Sequence, residues 1–313
     1  MKRWLRRTPG SSFRRDLKQV ALGWRWSHRP LVPRSVAPRE IAPRDFPTAW
    51  ARTERAQAAR AALQRFGLAP LLRIQTDPRV EGLDVLEGLE SPVIFIANHS
   101  SHLDAPLVLT SLPPDWRART ATGAAADYFF DVWWRAAATA LVFNAFPVER
   151  SGSKGRATKL AREMLADGWN VLVFPEGTRS KDGWVRDFRL GAARLAVEEG
   201  VPVVPIALRG SYQAMPRGAG WIRKGRPAIR VRFGRALTPA EGETAAAFNE
   251  RLRAALAVTL DEDRSTWWES MRRASSGDTP AMAGPQAARW RRTWEASKPL
   301  PQRRRAFKET LKR

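Results

Sequence analysis

Pro92-Val93-Ile94-Phe95-Ile96-Ala97-Asn98-His99-Ser100-Ser101-His102-Leu103-Asp104 changes character halfway along. The first half is a short apolar run suited to a strand buried on both faces. Polar residues then turn the chain, and 103–112 reads as a helix halted by Pro113-Pro114. A buried strand, a polar turn and a helix form half of a βα unit. That unit decides the fold class.

The same alternation spreads outward. Residues 155–167 read as a helix ended by Gly168, and 170–174 as a second buried strand. A helix over 190–199 closes at Gly200, and 203–208 form a third strand. Residues 228–233 form a fourth, in which Ile229, Val231 and Phe233 alternate with Arg230 and Arg232; a helix over 240–260 follows. Upstream, the Ala-rich stretch 49–67 predicts a helix stopped by Gly67. Residues 126–146 are apolar and aromatic, suited to a buried helix or to contact with a bilayer or acyl chain. The expected fold is therefore α/β: a layered, mixed and largely parallel sheet flanked by helices.

The 313 residues divide by charge. Lys and Arg number 54 against 31 Asp and Glu, a formal net charge of +23. Residues 1–48 hold 12 basic and 3 acidic residues, and 271–313 hold the same, while 49–270 are nearly balanced. The expected organisation is a basic, Pro- and Trp-containing arm (1–48), an α/β domain (49–270) and a basic low-complexity tail (271–313), both extensions irregular. Such ends seek polyanions. The absence of cysteine removes thiol nucleophiles, disulfides and Cys-ligated metals, and three histidines make no His-rich metal site. No apolar run reaches the length of a membrane-crossing helix, and the basic start lacks the apolar segment of a secretory signal.

Chemistry concentrates where strands end. In open α/β sheets, ligands sit outside the carboxyl ends of the strands. His99 follows the first strand, and Asp104 lies five residues on, across the turn. If the turn folds back, Asp104 accepts from one ring nitrogen of His99 and leaves the other free as a base. No protein nucleophile accompanies them; a substrate hydroxyl could take that place. His102 reads as helix-start surface. After the second strand comes Phe174-Pro175-Glu176-Gly177-Thr178-Arg179-Ser180. Pro175 ends the ladder, Gly177 lets backbone approach a ligand, and Arg179 can grip a phosphate. Glu176 can orient an arginine or bind an acceptor hydroxyl, and Thr178 adds a donor. Phe146-Pro147-Val148-Glu149-Arg150 offers Arg150 as a second phosphate clamp.

These stretches, with Val-Pro-Val-Val-Pro-Ile-Ala at 201–207, occur in the order of the four motif blocks of the glycerolipid acyltransferase family, which they resemble over residues 80–235. The family includes the 1-acyl-glycerol-3-phosphate acyltransferases. The second block departs from the pattern, with Phe146-Pro147 where a glycine often stands. The resemblance implies that His99 is the general base and Asp104 orients it. It also implies that Glu176, Gly177, Thr178, Arg179 and Arg150 bind a glycerol-phosphate acceptor. Pro202 and Pro205 read as structural.

The activity so implied moves a fatty acyl group from a thioester of coenzyme A or acyl carrier protein to a lysophosphatidate-type hydroxyl. Glycerol-3-phosphate or another lysolipid is the alternative acceptor. A non-enzymatic polyanion-binding protein is the rival reading of the charge. No cofactor and no metal are expected, nor a specific nucleic-acid partner. The expected location is cytoplasmic and peripheral, at an anionic membrane surface.

Overall fold

The computed structural model describes residues 46–148 and 155–300. The N-terminal arm up to residue 45, Arg150 and the last thirteen residues lie outside the described residues, and the readings made for them stay expectations.

In chain order, α1 (Glu54–Ala62) runs through a π turn (Leu63–Leu68) into α2 (Ala69–Gln75), followed by β1 (Asp77–Glu81) and β2 (Ile94–Ala97). Next come α3 (Asp104–Ser111), α4 (Pro114–Ala118), β3 (Thr120–Ala125), α5 (Ala126–Phe129), α6 (Trp133–Phe143) and β4 (Ala145–Val148). The rest comprises α7 (Arg156–Ala166), β5 (Asn170–Val173), α8 (Gly191–Glu199), β6 (Val203–Arg209), α9 (Ser211–Ala214), β7 (Ala228–Phe233), α10 (Ala245–Glu262), α11 (Trp267–Ser276) and α12 (Arg289–Ser297).

One seven-stranded sheet has the order β1-β7-β6-β2-β5-β3-β4. Every pairing is parallel except β6 with β7. Thus β2 sits at the centre, with Ile94 beside both Val171 and Val203, and all four of its residues are buried. Alternate side chains serve opposite faces. Phe95 and Ala97 join Leu72, Leu107 and Val108 in one core; Ile94 and Ile96 join Met164, Leu165, Ala193, Phe248 and Leu252 in the other. This is a mixed, largely parallel sheet with helices on both faces, as the alternation of strand and helix signals predicts.

Differences have local causes. The first helix does not stop at Gly67 but continues to Gln75. Burial of Ala69 and Leu72 holds the extra turns on the core, and Gln64 Nε2 donates to Val142 O at 2.6 Å. Packing here overrides the local preference of glycine. The 126–146 segment is two helices and part of an edge strand, with Phe130, Ala136, Ala140 and Phe146 buried. Within 271–300, the expected irregular tail holds most of α11 and all of α12. Each helix is tied down by an ion pair: Arg273 pairs with buried Asp261 at 2.7 Å, and Arg292 pairs with Asp182 at 2.9 Å. Among the described residues, no helix is long and apolar enough to cross a membrane.

Candidate active site

Because β2 and β5 are parallel neighbours, the loops that leave their carboxyl ends lie side by side. The first, 98–104, is anchored by Asn98. Its Nδ2 donates to Leu208 O at 2.9 Å and its Oδ1 accepts from Leu208 N at 2.7 Å, which splices the loop to β6. The chain then folds back on Asp104, whose side chain is wholly buried. One oxygen, Oδ2, accepts from Ser100 N at 2.7 Å and Ser101 N at 2.8 Å, and lies 2.9 Å from His99 Nδ1. With Asp104 as acceptor, His99 carries its proton on Nδ1 and leaves Nε2 as the basic nitrogen. Hydrogen bonds to a charged acceptor contribute about 1.5–3 kcal/mol each, so the loop and the imidazole are held by one carboxylate.

The second loop supports the same histidine from below. Phe174 stacks on the His99 ring, with centroids 4.1 Å apart and planes at 22°. Glu176 Oε1 accepts from His99 N at 2.7 Å, and Oε2 from Arg186 N at 3.0 Å. Ser180 N donates to His99 O at 2.7 Å. Glu176 is only 4% exposed. Burial pushes its carboxyl up to about 8, opposed by the N–H groups of His99 and Arg186. Its two oxygens are thus committed to backbone. Glu176 joins the two loops, whereas the resemblance implies contact with an acceptor.

Gly177 has φ +68°, the left-handed region, and donates its N–H to Phe174 O at 3.0 Å. The turn carries Thr178 and Arg179, both half-buried, past His99 before Ser180 returns to it. Arg179 also reaches the aromatic segment: its charge opposes the burial that raises the Tyr128 hydroxyl pKa. His102, expected at the surface, is half-buried; it stacks on Tyr128 at 5.3 Å and meets Phe129 edge-on at 6.0 Å. His99, Asp104 and Glu176 are therefore joined directly, and Gly177, Thr178 and Arg179 follow on the same turn. Phe174 lay inside the motif without a role, and the backbone of Arg186 left no sequence signal at all.

A cavity of about 620 Å³ adjoins the first loop, lined among others by Asn98, Ser100, Trp184, Tyr212, Leu260 and Met282. The C-terminal segment therefore borders the same cavity as the loop that carries His99. Among the described residues, no group of three or more His, Asp or Glu can hold a metal ion.

The geometry agrees with the likeness to known proteins. A family model described as Acyltransferase matches residues 77–209. The chain is 34% identical over 142 residues to the 1-acyl-sn-glycerol-3-phosphate acyltransferase BAT2 of Brassica napus, covering 45% of this chain and 39% of that protein. It is 40% identical over 121 residues to a 1-acyl-sn-glycerol-3-phosphate acyltransferase of Pseudomonas aeruginosa, covering 37% and 46%. The matches thus span less than half the length of these curated relatives. The crystal structure of the 1-acyl-sn-glycerophosphate acyltransferase PlsC from Thermotoga maritima superposes with a TM-score of 0.52 at 25% identity, covering 70% of this chain and 84% of that one. The segment matched by the Acyltransferase model contains both loops, from His99 to Arg179, and it is over this segment that the chain is similar to those proteins.

Proposed function

We propose that the protein transfers a fatty acyl group from an acyl thioester to the free hydroxyl of a lysophosphatidate-type acceptor, forming a diacylated phosphatidate. The observation that carries this reading is the His99–Asp104 pair at the end of β2, backed by the loop that bears Thr178 and Arg179. His99 Nε2 takes the proton of the acceptor hydroxyl as its oxygen attacks the thioester carbonyl. The tetrahedral intermediate collapses, the C–S bond breaks, and the thiolate leaves with the proton returned from His99. A general base contributes about 10²–10⁴ in rate. Buried Asp104 stabilises the imidazolium formed on the way.

Arg179 and Thr178 hold the acceptor phosphate beside the base, and Arg150 is a second candidate for the same charge. Orienting the acceptor turns a bimolecular encounter into a positioned one. The thioester comes from coenzyme A or acyl carrier protein, and the reaction calls for no cofactor. Because acceptor and product are lipids, the enzyme works peripherally on a membrane surface.

The test follows thiol release and lipid product together, with palmitoyl- or oleoyl-coenzyme A and lysophosphatidic acid in mixed vesicles. Wild type is expected to form phosphatidic acid, and His99→Ala to lose about 10²–10⁴ of the rate while its circular dichroism is unchanged. Full activity in His99→Ala would sink the assignment. Thiol release with glycerol-3-phosphate but not with the lysolipid would move the acceptor to the smaller molecule.

A further inference from the structure

The segment beyond the matched acyltransferase region has a composition that catalysis does not use. α11 begins Trp267-Trp268-Glu269-Ser270-Met271-Arg272-Arg273, and α12 reads Arg289-Trp290-Arg291-Arg292-Thr293-Trp294-Glu295. Trp268 is 76% exposed and Trp290 69%; Trp267, Met271 and Trp294 are also exposed, as is Trp221 in the β6–β7 connection. Indoles at 290 and 294 are one helical turn apart, and so are 267 and 271, so each helix turns an aromatic face outward.

Both helices sit at one end of the sheet. Arg209, the last residue of β6, donates from Nε to Asp263 at 2.7 Å, which places the end of α10 and the start of α11 there. α12 is pinned to the segment that follows Arg179: Trp184 Nε1 donates to Arg292 O at 3.0 Å, and Arg292 pairs with Asp182. Gln213 Nε2 donates to Ala296 O at 3.1 Å. β6 runs parallel to β2, and Leu208 bonds Asn98, so this is the end from which His99 projects. The outward tryptophans therefore share the catalytic end of the molecule.

The outward chemistry is amphipathic and basic. Arg291 lies over the Trp290 ring at 5.6 Å, and the Lys298 ammonium over Trp294 at 4.0 Å, with Arg289 beside them. Indole favours the bilayer interface, where ring and N–H are both satisfied. Arginines beside it meet anionic headgroups. An acidic protein would match the charge, but it would leave six large apolar side chains, on two helices and a loop, without a groove to enter.

We propose that α11 and α12 form a docking surface for an anionic lipid bilayer and hold the catalytic end of the sheet against it. The inference deepens the lysolipid reading above, and vesicle binding tests it apart from catalysis. The full chain is sedimented with vesicles of phosphatidylglycerol and phosphatidylcholine, or of phosphatidylcholine alone, at low and high salt. Wild type is expected on the anionic vesicles, less so at high salt. Trp290→Ala with Trp294→Ala, or Trp267→Ala with Trp268→Ala, should lower the partition constant roughly tenfold or more. Arg289→Gln with Arg291→Gln should lower it about fivefold per arginine and flatten the salt dependence. The tryptophan variants should keep thiol release within about twofold when the acceptor is supplied in detergent micelles, and His99→Ala should bind vesicles as wild type does. Tryptophan variants that bind like wild type would overturn the proposal. So would salt-sensitive binding to an acidic acyl carrier protein in a wild type that ignores vesicles.

Discussion

The two loops that build the site are held by opposite strategies. In 98–104 the side chain of His99 is fixed within seven residues: Asp104 collects the N–H groups of Ser100 and Ser101 and the ring of His99 on one oxygen. In 174–186 the fixing partners are remote: Glu176 reaches His99 N, 77 residues away in sequence, and Arg186 N, ten residues away. The His99–Asp104 pair is thus assembled locally, while the turn that carries Thr178 and Arg179 takes its position from contacts made across the sheet. A local device can be written as a short spacing. A remote one exists only once β2 and β5 have paired.

The strongest way to break this comparison is Asp104→Asn. The amide keeps an oxygen for the loop but loses the charge and the fixed tautomer of His99. We expect kcat to fall by about 10²–10⁴, close to the whole general-base contribution, with circular dichroism retained. A rate within threefold of wild type would show that His99 acts without its carboxylate. Next in size is Arg179→Ala, which leaves the base intact. The acceptor KM should rise about 10- to 100-fold, as expected for losing one charge-assisted hydrogen bond, with kcat changed far less. A fall in kcat at unchanged KM would place Arg179 on the reacting carbonyl instead of the phosphate.

What the sequence made legible follows the same division. Strands β2, β5, β6 and β7 carry large or alternating apolar residues, and all four are readable. β3, Thr120-Ala121-Thr122-Gly123-Ala124-Ala125, has no large apolar side chain, because neighbours fill its face: a Cβ on Gly123 would stand 3.0 Å from Val148. β1 is a charged edge paired only with β7, and β4 is an edge that tolerates Pro147; neither resembles a core strand in isolation. α11 and α12 were hidden by basic composition, since their inward anchors are single residues such as Arg273 and Arg292. At the site, the spacing sufficed to foresee the contact of His99 with Asp104. The bracing role of Glu176 did not show, because its partners are backbone N–H groups, which no residue name reveals.

That brace yields the smallest effect and the finest distinction. Burial pushes Glu176 up to about 8, so the folded protein holds this proton more tightly than the unfolded chain does. The stabilisation is therefore fully present below the ordinary glutamate pKa. It is lost as the pH rises toward about 8, where the folded protein must bury the charge. Glu176→Gln does not titrate, but its amide nitrogen faces one of the two backbone N–H groups and costs a pH-independent offset. The variant should therefore melt below wild type near pH 5, and by pH 8 to 9 it should recover a few degrees on wild type, at about 2–4 °C per kcal/mol. Parallel melting curves would mean that the residue does not change charge over this range. Wild type gaining on the variant as the pH rises would mean that the N–H groups of His99 and Arg186 outweigh burial and hold a carboxylate. The loop bearing His99 would then rest on two carboxylates, both buried, and the contrast between a local and a remote device would reduce to the length of chain each one closes.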